Sequence, residues 1–341
     1  MDERRGTTPE RHDVLVVGAG PAGLAAGAML SRRGAEVVLL DAAARVGDGW
    51  RRHYDRLRLH TVRWLSGLPG MPIPREYGKW VPRDRVADYL EAYARRFALQ
   101  VRTSAPVNRL DRDGGGWTAA TPAGAIRADH VVVATGFNRE PYLPGWPGRD
   151  GFRGELVHSS AYRTPAPYRR RRVLVVGTGN SGAEIAVDLA DAGAEVVLSV
   201  RTGPHIMRRD LFGFPSQTLG VAMRRLPPRV VDRLQRGVQR VAIGDLERYG
   251  MPPPSRRGMY TRLLEESAVP ILDVGLVRLL KQRRVRVVAA VERLDGDDVV
   301  LADGSRVRVD AIVAATGFRR GLEPLVGHLG VLDDRGRPLV H

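Results

Sequence analysis

Residues 14–23 read VLVVGAGPAG and residues 173–182 read VLVVGTGNSG, so the same pattern recurs 173 − 14 = 159 residues later. The offset persists, because GAEVVL begins at Gly34 and again at Gly193. Each repeat therefore covers a buried strand, a glycine turn, a helix and a second strand, which is more than a lone motif. The repeat predicts an α/β fold with two Rossmann-like dinucleotide-binding domains.

Each glycine turn is expected to cradle a pyrophosphate. The glycines let the backbone turn tightly and approach the phosphates, and the helix that follows points its unpaired N–H groups at them. Gly34 and Gly193 stand where a glycine ends each helix. The predicted phosphate-binding residues are Gly18, Gly20 and Gly23 in the first repeat, and Gly177, Gly179, Asn180, Ser181 and Gly182 in the second.

The end of the second strand distinguishes the two nucleotides. In the first repeat this strand ends at Asp41, a carboxylate suited to the ribose hydroxyls of FAD. The corresponding position of the second repeat is Val200, and it is followed by Arg201. An arginine suits a ribose phosphate, which predicts NADPH there. The alternative is that Arg201 is a solvated surface residue, and Arg208 and Arg209 stand close enough in sequence to share the phosphate.

A second repeat strengthens this architecture. DHVVVATGF ends at Phe137 and DAIVAATGF ends at Phe318, each after short alternating strands with turns at 113–116 and 295–298. Each domain is therefore predicted to carry a small β-meander and to return to its parallel sheet, in the three-layer ββα arrangement of FAD/NADP-binding domains. Four further cofactor contacts are predicted in the ATGF segments: Thr135, Gly136, Thr316 and Gly317.

Composition excludes several other classes of protein. The net charge of +16 comes almost entirely from arginine, since Lys79 and Lys281 are the only lysines. These arginines are interleaved with 38 acidic residues instead of clustering with aromatics, which argues against nucleic-acid binding. The chain has no cysteine, which excludes disulfides and thiolate metal sites and favours a cytoplasmic location.

No membrane span or metal site is expected. The N-terminal segment is charged and lacks the apolar stretch of a secretory signal, and the uncharged run from Val14 to Leu30 fits a strand, turn and helix better than a membrane span. His53 and His60 lack the further acids or histidines of a metal site. The sequence does not indicate an oligomeric state.

The segment FRGELVHSSAY connects the two repeats and fits the pattern FxGxxxHxxxY through Phe152, Gly154, His158 and Tyr162. It resembles the identifying sequence of flavin-containing monooxygenases. The likeness covers nearly the whole chain and is closest to the YUCCA-type indole-3-pyruvate monooxygenases and their bacterial relatives, through GNSGAEIAVDLA, SVRTGPHIMRRD and PILDVG. A Baeyer–Villiger monooxygenase is expected to have tryptophan in place of Tyr162, which disfavours that branch.

The resemblance implies an FAD- and NADPH-dependent monooxygenase. The resemblance further implies that NADPH reduces the flavin, that dioxygen adds at the flavin 4a carbon, and that the resulting hydroperoxide oxygenates a small organic substrate. That substrate is a 2-oxo acid such as indole-3-pyruvate, or a soft nitrogen or sulfur nucleophile. The alternative is an NADPH-dependent flavin oxidoreductase or NADPH oxidase that transfers no oxygen. No acid–base pair is expected, because the cofactor carries the chemistry.

The resemblance also implies site residues and domain boundaries. It places Gly47, Asp48, Trp50, Leu59 and His60 beside the flavin, and it makes His158 structural more than catalytic. The FAD-binding domain is expected to span residues 1–163 and 308–341, and the NADPH-binding domain residues 164–307. Family members usually continue past a stretch similar to GVLDDRGRPLVH into another strand and helix, so the FAD-binding domain is expected to be incomplete and to retain flavin less firmly.

Overall fold

The computed structural model describes residues 10–211, 213–266 and 268–339. It divides into two compact units. The first contains the described residues of Met1–His53, Arg63–Pro141 and Phe318–His341, and the second contains Tyr54–Val62 and Tyr142–Gly317. We call Tyr54–Val62 the crossover segment, because it lies between two parts of the first unit in sequence but belongs to the second unit.

Most of the strands are short. In chain order they are β1 (Arg11–Val17), β2 (Val37–Leu40), β3 (Gln100–Arg102), β4 (Arg109–Asp113), β5 (Gly116–Thr121), β6 (Gly124–Val133), β7 (Glu140–Pro141), β8 (Glu155–His158), β9 (Arg172–Val176), β10 (Glu195–Ser199), β11 (Ile206–Arg208), β12 (Asp210–Leu211), β13 (Phe214–Pro215), β14 (Ile271–Asp273), β15 (Val285–Val288), β16 (Val291–Asp295), β17 (Asp298–Leu301), β18 (Arg306–Arg308), β19 (Ala311–Ala314) and β20 (Phe318–Arg319). The α-helices are α1 (Pro21–Ser31), α2 (Asp48–Arg51), α3 (Arg83–Arg96), α4 (Asn180–Asp191), α5 (Ser216–Ala222), α6 (Pro228–Ala242), α7 (Met259–Glu266), α8 (Leu276–Lys281) and α9 (Glu323–Val326).

The first unit is built on a six-stranded sheet in the order β3-β2-β1-β6-β5-β4. Strands β3, β2, β1 and β6 pair in parallel with their neighbours in this order. Strands β6, β5 and β4 form an antiparallel meander. The C-terminal part of the chain returns to this unit, where Leu325 and Val326 of α9 share a core with Leu15 and Val38. This packing makes the first unit discontinuous in sequence.

The second unit contains a five-stranded parallel sheet in the order β15-β10-β9-β19-β8. The meander β16-β17-β18 packs on it, because Leu294 and Val299 share a core with Leu174, Val197 and Ile312 of the sheet. Helix α4 also packs against β9 and β10. Meander, sheet and helix form the three layers expected for this class, and the predicted α/β fold is confirmed.

The two meanders differ in how they rejoin the parallel sheet. In the first unit, the ten-residue strand β6 pairs with β5 at its start and with β1 further along. In the second unit the meander ends with β18, and the sheet resumes with β19 after Asp310. The Asp310 carboxylate accepts a hydrogen bond from the Arg172 N–H at 2.7 Å, which fixes the chain between the two strands.

The boundaries of the two compact units differ from those of the predicted domains. Residues 142–163 and 308–317 belong to the second unit. The physical reason is strand pairing, since β19 lies between β8 and β9 in the second sheet. The crossover segment also belongs there, although it lies within the predicted first domain.

Local structure follows the sequence patterns. Helix α3 buries Val86, Leu90 and Tyr93, which recur at helical spacing and therefore share one face. Gly34 and Gly193 lie just beyond α1 and α4, both with φ +91°, a left-handed conformation that favours glycine at a helix end.

Candidate nucleotide-binding sites

In the first glycine turn, two glycines are required by the fold and a third leaves space for a ligand. Gly18 has φ +105°, and a Cβ there would lie 2.5 Å from the Ala134 carbonyl oxygen. A Cβ on Gly23 would lie 1.8 Å from the Gly18 carbonyl oxygen. A Cβ on Gly20 would meet nothing within 4 Å, and Gly20 stands directly before α1. The open space before this helix fits a pyrophosphate, which the free N–H groups and positive end of α1 would hold.

The second turn repeats this arrangement. Gly177 has φ +103°, and its Cβ would lie 2.5 Å from the Ala315 carbonyl oxygen. The Cβ of a side chain at Gly182 would lie 2.1 Å from the Gly177 carbonyl oxygen, whereas one at Gly179 would meet nothing within 4 Å. Gly179 precedes α4 as Gly20 precedes α1. Both turns can therefore hold a dinucleotide in the same manner.

Asp41 is fixed in front of the first turn. Its Oδ2 accepts the Ala19 N–H at 2.6 Å, and its Oδ1 accepts the Ala43 N–H at 2.8 Å. An ionised carboxylate offers about four lone-pair positions, so two remain for ribose hydroxyls. The geometry fits the prediction that Asp41 binds the ribose of FAD.

Arg201 is the arginine best placed for a phosphate in the second repeat. It is exposed, directly after the buried Val200, and it has no hydrogen-bond or ion-pair partner among the described residues. By contrast, Arg208 donates to the Ala242 carbonyl at 3.0 Å. Burial lowers the pKa of Arg209, whose guanidinium is stabilised by the nearby Glu184 carboxylate. Arg201 therefore keeps its donors available for a ligand.

Two predicted side chains of the second turn have structural partners. Asn180 donates to the Pro270 carbonyl at 3.2 Å and accepts the Leu272 N–H at 2.8 Å, which joins the start of α4 to β14. The Ser181 hydroxyl bonds to the Tyr54 hydroxyl. The nucleotide contact predicted for these two residues stays a prediction, and their backbone N–H groups are the atoms available for it.

The ATGF segments lie under the glycine turns, as the contacts of Ala134 and Ala315 show. Gly136 and Gly317 both have left-handed backbones, with φ +81° and +87°. The Thr316 hydroxyl donates to the Tyr142 carbonyl.

The predicted flavin neighbours belong to two different compact units. Gly47, Asp48 and Trp50 lie together in the first unit at helix α2. Gly47 has φ +84°, and its Cβ would lie 2.9 Å from Ala87, so this approach of α2 to α3 requires glycine. Leu59 and His60 instead lie in the second unit, on the crossover segment. Their place beside the flavin stays a prediction.

The motif FxGxxxHxxxY lies entirely in the second unit. Phe152 packs against the core shared by the meander and the sheet. Gly154 approaches the Asp310 carbonyl so closely that a Cβ would lie 2.8 Å from it. The Tyr162 hydroxyl donates to the Asp188 carboxylate at 2.8 Å, and burial raises the pKa of this tyrosine. These three residues therefore hold the fold of the second unit.

His158 has a backbone partner for each ring nitrogen. Its Nδ1 accepts the Ser160 N–H at 3.1 Å, so its Nε2 carries the proton donated to the Gly317 carbonyl at 3.0 Å. Burial lowers the pKa of the ring, which keeps it neutral near pH 7. This arrangement supports a structural role, in which His158 holds the second ATGF turn.

A buried cluster around Glu184 was not predicted from the sequence. Glu184 lies on α4 and is 3% exposed. Its carboxylate accepts the Tyr54 hydroxyl at 2.9 Å and lies 3.1 Å from the His60 Nε2. The only sequence signal is that Glu184 and Asp188 stand four residues apart, and so on one face, in the otherwise apolar stretch 182–190 of the helix. The cluster fixes the crossover segment on the helix that follows the second glycine turn.

We expect Tyr54→Phe to lower the free energy of unfolding by about 1.5–3 kcal/mol, because the buried carboxylate loses a charge-assisted hydrogen bond. Urea unfolding measures the change. Tyr249→Phe is the matched control, because the Tyr249 hydroxyl has no partner among the described residues. Equal unfolding midpoints for the two variants would show that the Tyr54–Glu184 bond contributes nothing.

Among the described residues, no group of three or more histidine, aspartate or glutamate side chains could hold a metal ion. None of the helices within the described ranges is long and apolar enough to cross a membrane.

Comparison with known sequences identifies close relatives. A family model described as pyridine nucleotide-disulphide oxidoreductase matches residues 15–212. Indole-3-pyruvate monooxygenase YUCCA8 of Oryza sativa subsp. indica is 37% identical over 320 residues, covering 89% of this chain and 75% of the relative. Probable indole-3-pyruvate monooxygenase YUCCA4 of Arabidopsis thaliana is 33% identical over 330 residues, covering 95% and 80%.

Solved structures agree. The flavin-containing monooxygenase from Stenotrophomonas maltophilia superposes with a TM-score of 0.74 at 28% identity, covering 97% of this chain and 86% of that one. Cyclohexanone monooxygenase from Rhodococcus sp. Phi1, bound to NADP⁺, superposes with a TM-score of 0.69 at 21% identity, covering 97% and 75%. The second likeness concerns the fold alone. Because the sequence has no cysteine, the redox disulfide of a disulfide reductase has no counterpart in it.

Proposed function

Because the chain belongs to the flavin-dependent monooxygenase family that includes the YUCCA enzymes, we propose that it oxygenates a small 2-oxo acid of the indole-3-pyruvate type. It is an enzyme that uses FAD, NADPH and dioxygen on a small molecule. The observation that supports this substrate class is the 37% identity to an indole-3-pyruvate monooxygenase across 89% of the chain. A cytoplasmic location is part of the proposal, favoured by the absence of cysteine.

We assign the first unit to FAD and the second to NADPH. Gly18, Gly20 and Gly23 would hold the pyrophosphate of FAD, and Asp41 its ribose. Held by these residues, FAD would supply the redox chemistry of the reaction, which is hydride acceptance from NADPH and activation of dioxygen. The support for this order is that only the first repeat ends its second strand with a carboxylate.

In the second unit, Gly177, Gly179 and Gly182 would hold the pyrophosphate of NADPH, and Arg201 its ribose phosphate. His158 and Tyr162 would act as positioning residues, because they fix the second ATGF turn and α4 rather than contacting a substrate.

The test follows NADPH consumption, hydrogen peroxide and oxygenated product in one reaction with indole-3-pyruvate. We expect product in about the same amount as NADPH consumed, because one oxygen atom is transferred in each reduction cycle. An amine or thioether substrate is tested in parallel. Peroxide in place of any oxygenated product would make the protein an NADPH oxidase, and turnover of the amine or thioether alone would overturn the 2-oxo acid proposal.

A further inference from the structure

Helix α6 exposes apolar side chains along most of its length. Val230, Leu234, Val238 and Val241 recur at i, i+4, i+8 and i+11, so they share one face. They are 44%, 50%, 40% and 88% exposed, respectively. We call these four residues the α6 stripe. A helix of 15 residues is about 22 Å long, so the stripe extends much further than a single exposed side chain.

The orientation of α6 is fixed by contacts on its other side. Asp232 is 5% exposed and accepts the Tyr260 N–H at 2.7 Å and the Thr261 hydroxyl at 2.5 Å, at the start of α7. Gln239 donates to the Ile206 carbonyl at 3.0 Å. Because these polar anchors lie away from the stripe, the apolar face is held outward.

A row of arginines borders the stripe. Arg229, Arg233, Arg236 and Arg240 recur at i, i+4, i+7 and i+11, each one or two positions before a stripe residue along the helix. All four are exposed. Within the part of the chain that the structure describes, Arg229, Arg233 and Arg240 have no carboxylate or hydrogen-bond partner. Elsewhere many arginines form ion pairs, such as Arg172 with Glu195 and Arg278 with Asp191.

The exposed charges on and just before α6 are all positive. Residues 216–242 contain six arginines, and Asp232 is their only acidic residue. Its carboxylate is buried in the cap of α7, so it does not neutralise the exposed row. A second copy of this chain carries the same net charge of +16, which disfavours its approach to this face, whereas an anionic lipid surface supplies a countercharge.

We propose that the α6 stripe and its arginine row bind the surface of an anionic lipid bilayer, with the helix lying in the plane of the interface. An apolar stripe bordered by arginine is the pattern of interfacial helices, whose apolar face enters the headgroup boundary while the guanidinium groups contact lipid phosphates. The protein associates with the bilayer without crossing it. This proposal does not depend on the substrate.

The test is sedimentation of the FAD-loaded enzyme with vesicles of equal parts phosphatidylcholine and phosphatidylglycerol, compared with phosphatidylcholine alone. We expect binding to the first and not to the second, with a strong decrease at high salt. Replacing Arg229, Arg233 and Arg240 together with glutamine should weaken binding about a hundredfold, at roughly fivefold for each arginine. Leu234→Asp combined with Val241→Asp should weaken it at least about tenfold, because the apolar contribution is lost.

The matched control replaces Arg33, Arg96 and Arg335 with glutamine. These side chains are exposed and have no ion-pair partner among the described residues, so the change in net charge is the same. The control should bind as the unchanged protein does. Equal loss in the control would show that net charge alone causes binding and would overturn the proposal.

We call Leu234→Asp combined with Val241→Asp the stripe variant, and its light scattering tests whether a second copy of the chain covers the stripe instead. Failure of the unchanged protein to bind anionic vesicles, together with a dimer that the stripe variant converts to a monomer, would identify the partner as a second copy. The thermal transition of every variant checks its folding. Because each replaced side chain is exposed, all transitions should agree.

Discussion

Replacing Gly20 with valine is expected to give a folded protein without bound flavin. A Cβ at this position meets nothing within 4 Å, so the fold tolerates it, but it occupies the space before α1 where we place the pyrophosphate of FAD. The absorbance of bound flavin should be lost, while far-ultraviolet circular dichroism and the thermal transition of the apoprotein stay unchanged.

Gly179→Val is the matched control for this prediction, because the same open space lies before α4. This variant should keep its flavin and lose reduction by NADPH. A flavin-free Gly179 variant beside a flavin-loaded Gly20 variant would reverse the assignment of the two nucleotides. Gly23 is unsuitable for the test, because a Cβ there would overlap the Gly18 carbonyl oxygen and disturb the turn itself.

Arg201→Ala is expected to weaken NADPH binding roughly ten- to hundredfold and to leave NADH nearly unchanged. A hydrogen bond to a charged group contributes about 1.5–3 kcal/mol, which corresponds to that range. The measurement is the coenzyme concentration that gives half the maximal rate of flavin reduction. Arg208→Ala is the control, since Arg208 donates to the Ala242 carbonyl. Equal flavin reduction of the unchanged protein by NADH and NADPH would contradict the phosphate contact.

Much of the architecture was predictable because it depends on local sequence. The two glycine turns, the helices that follow them and the meander turns occur where the repeats predict them. Glycine carries most of this information, since positions such as Gly18 and Gly177 combine a positive φ with a close backbone neighbour. Such requirements restrict a position to one residue type, and a sequence displays them directly.

The contacts that were not predicted join residues far apart in sequence. Nothing near Glu184 indicates that Tyr54 and His60, more than 120 positions earlier, bind its carboxylate. Asn180 fits the phosphate motif, and only the structure shows its side chain bonded to the backbone at Pro270 and Leu272. The exposed face of α6 likewise depends on where Asp232 is anchored.

The crossover segment restricts which chimeras of related proteins can fold. The chain passes between the two units after His53, Val62, Pro141 and Gly317, so neither unit is encoded by one continuous stretch. A chimera that takes only residues 142–317 from a relative would combine the donor's Glu184 with the recipient's Tyr54 and His60. A compatible hybrid must therefore inherit Tyr54–Val62 together with the downstream half, although these codons lie among those of the upstream half.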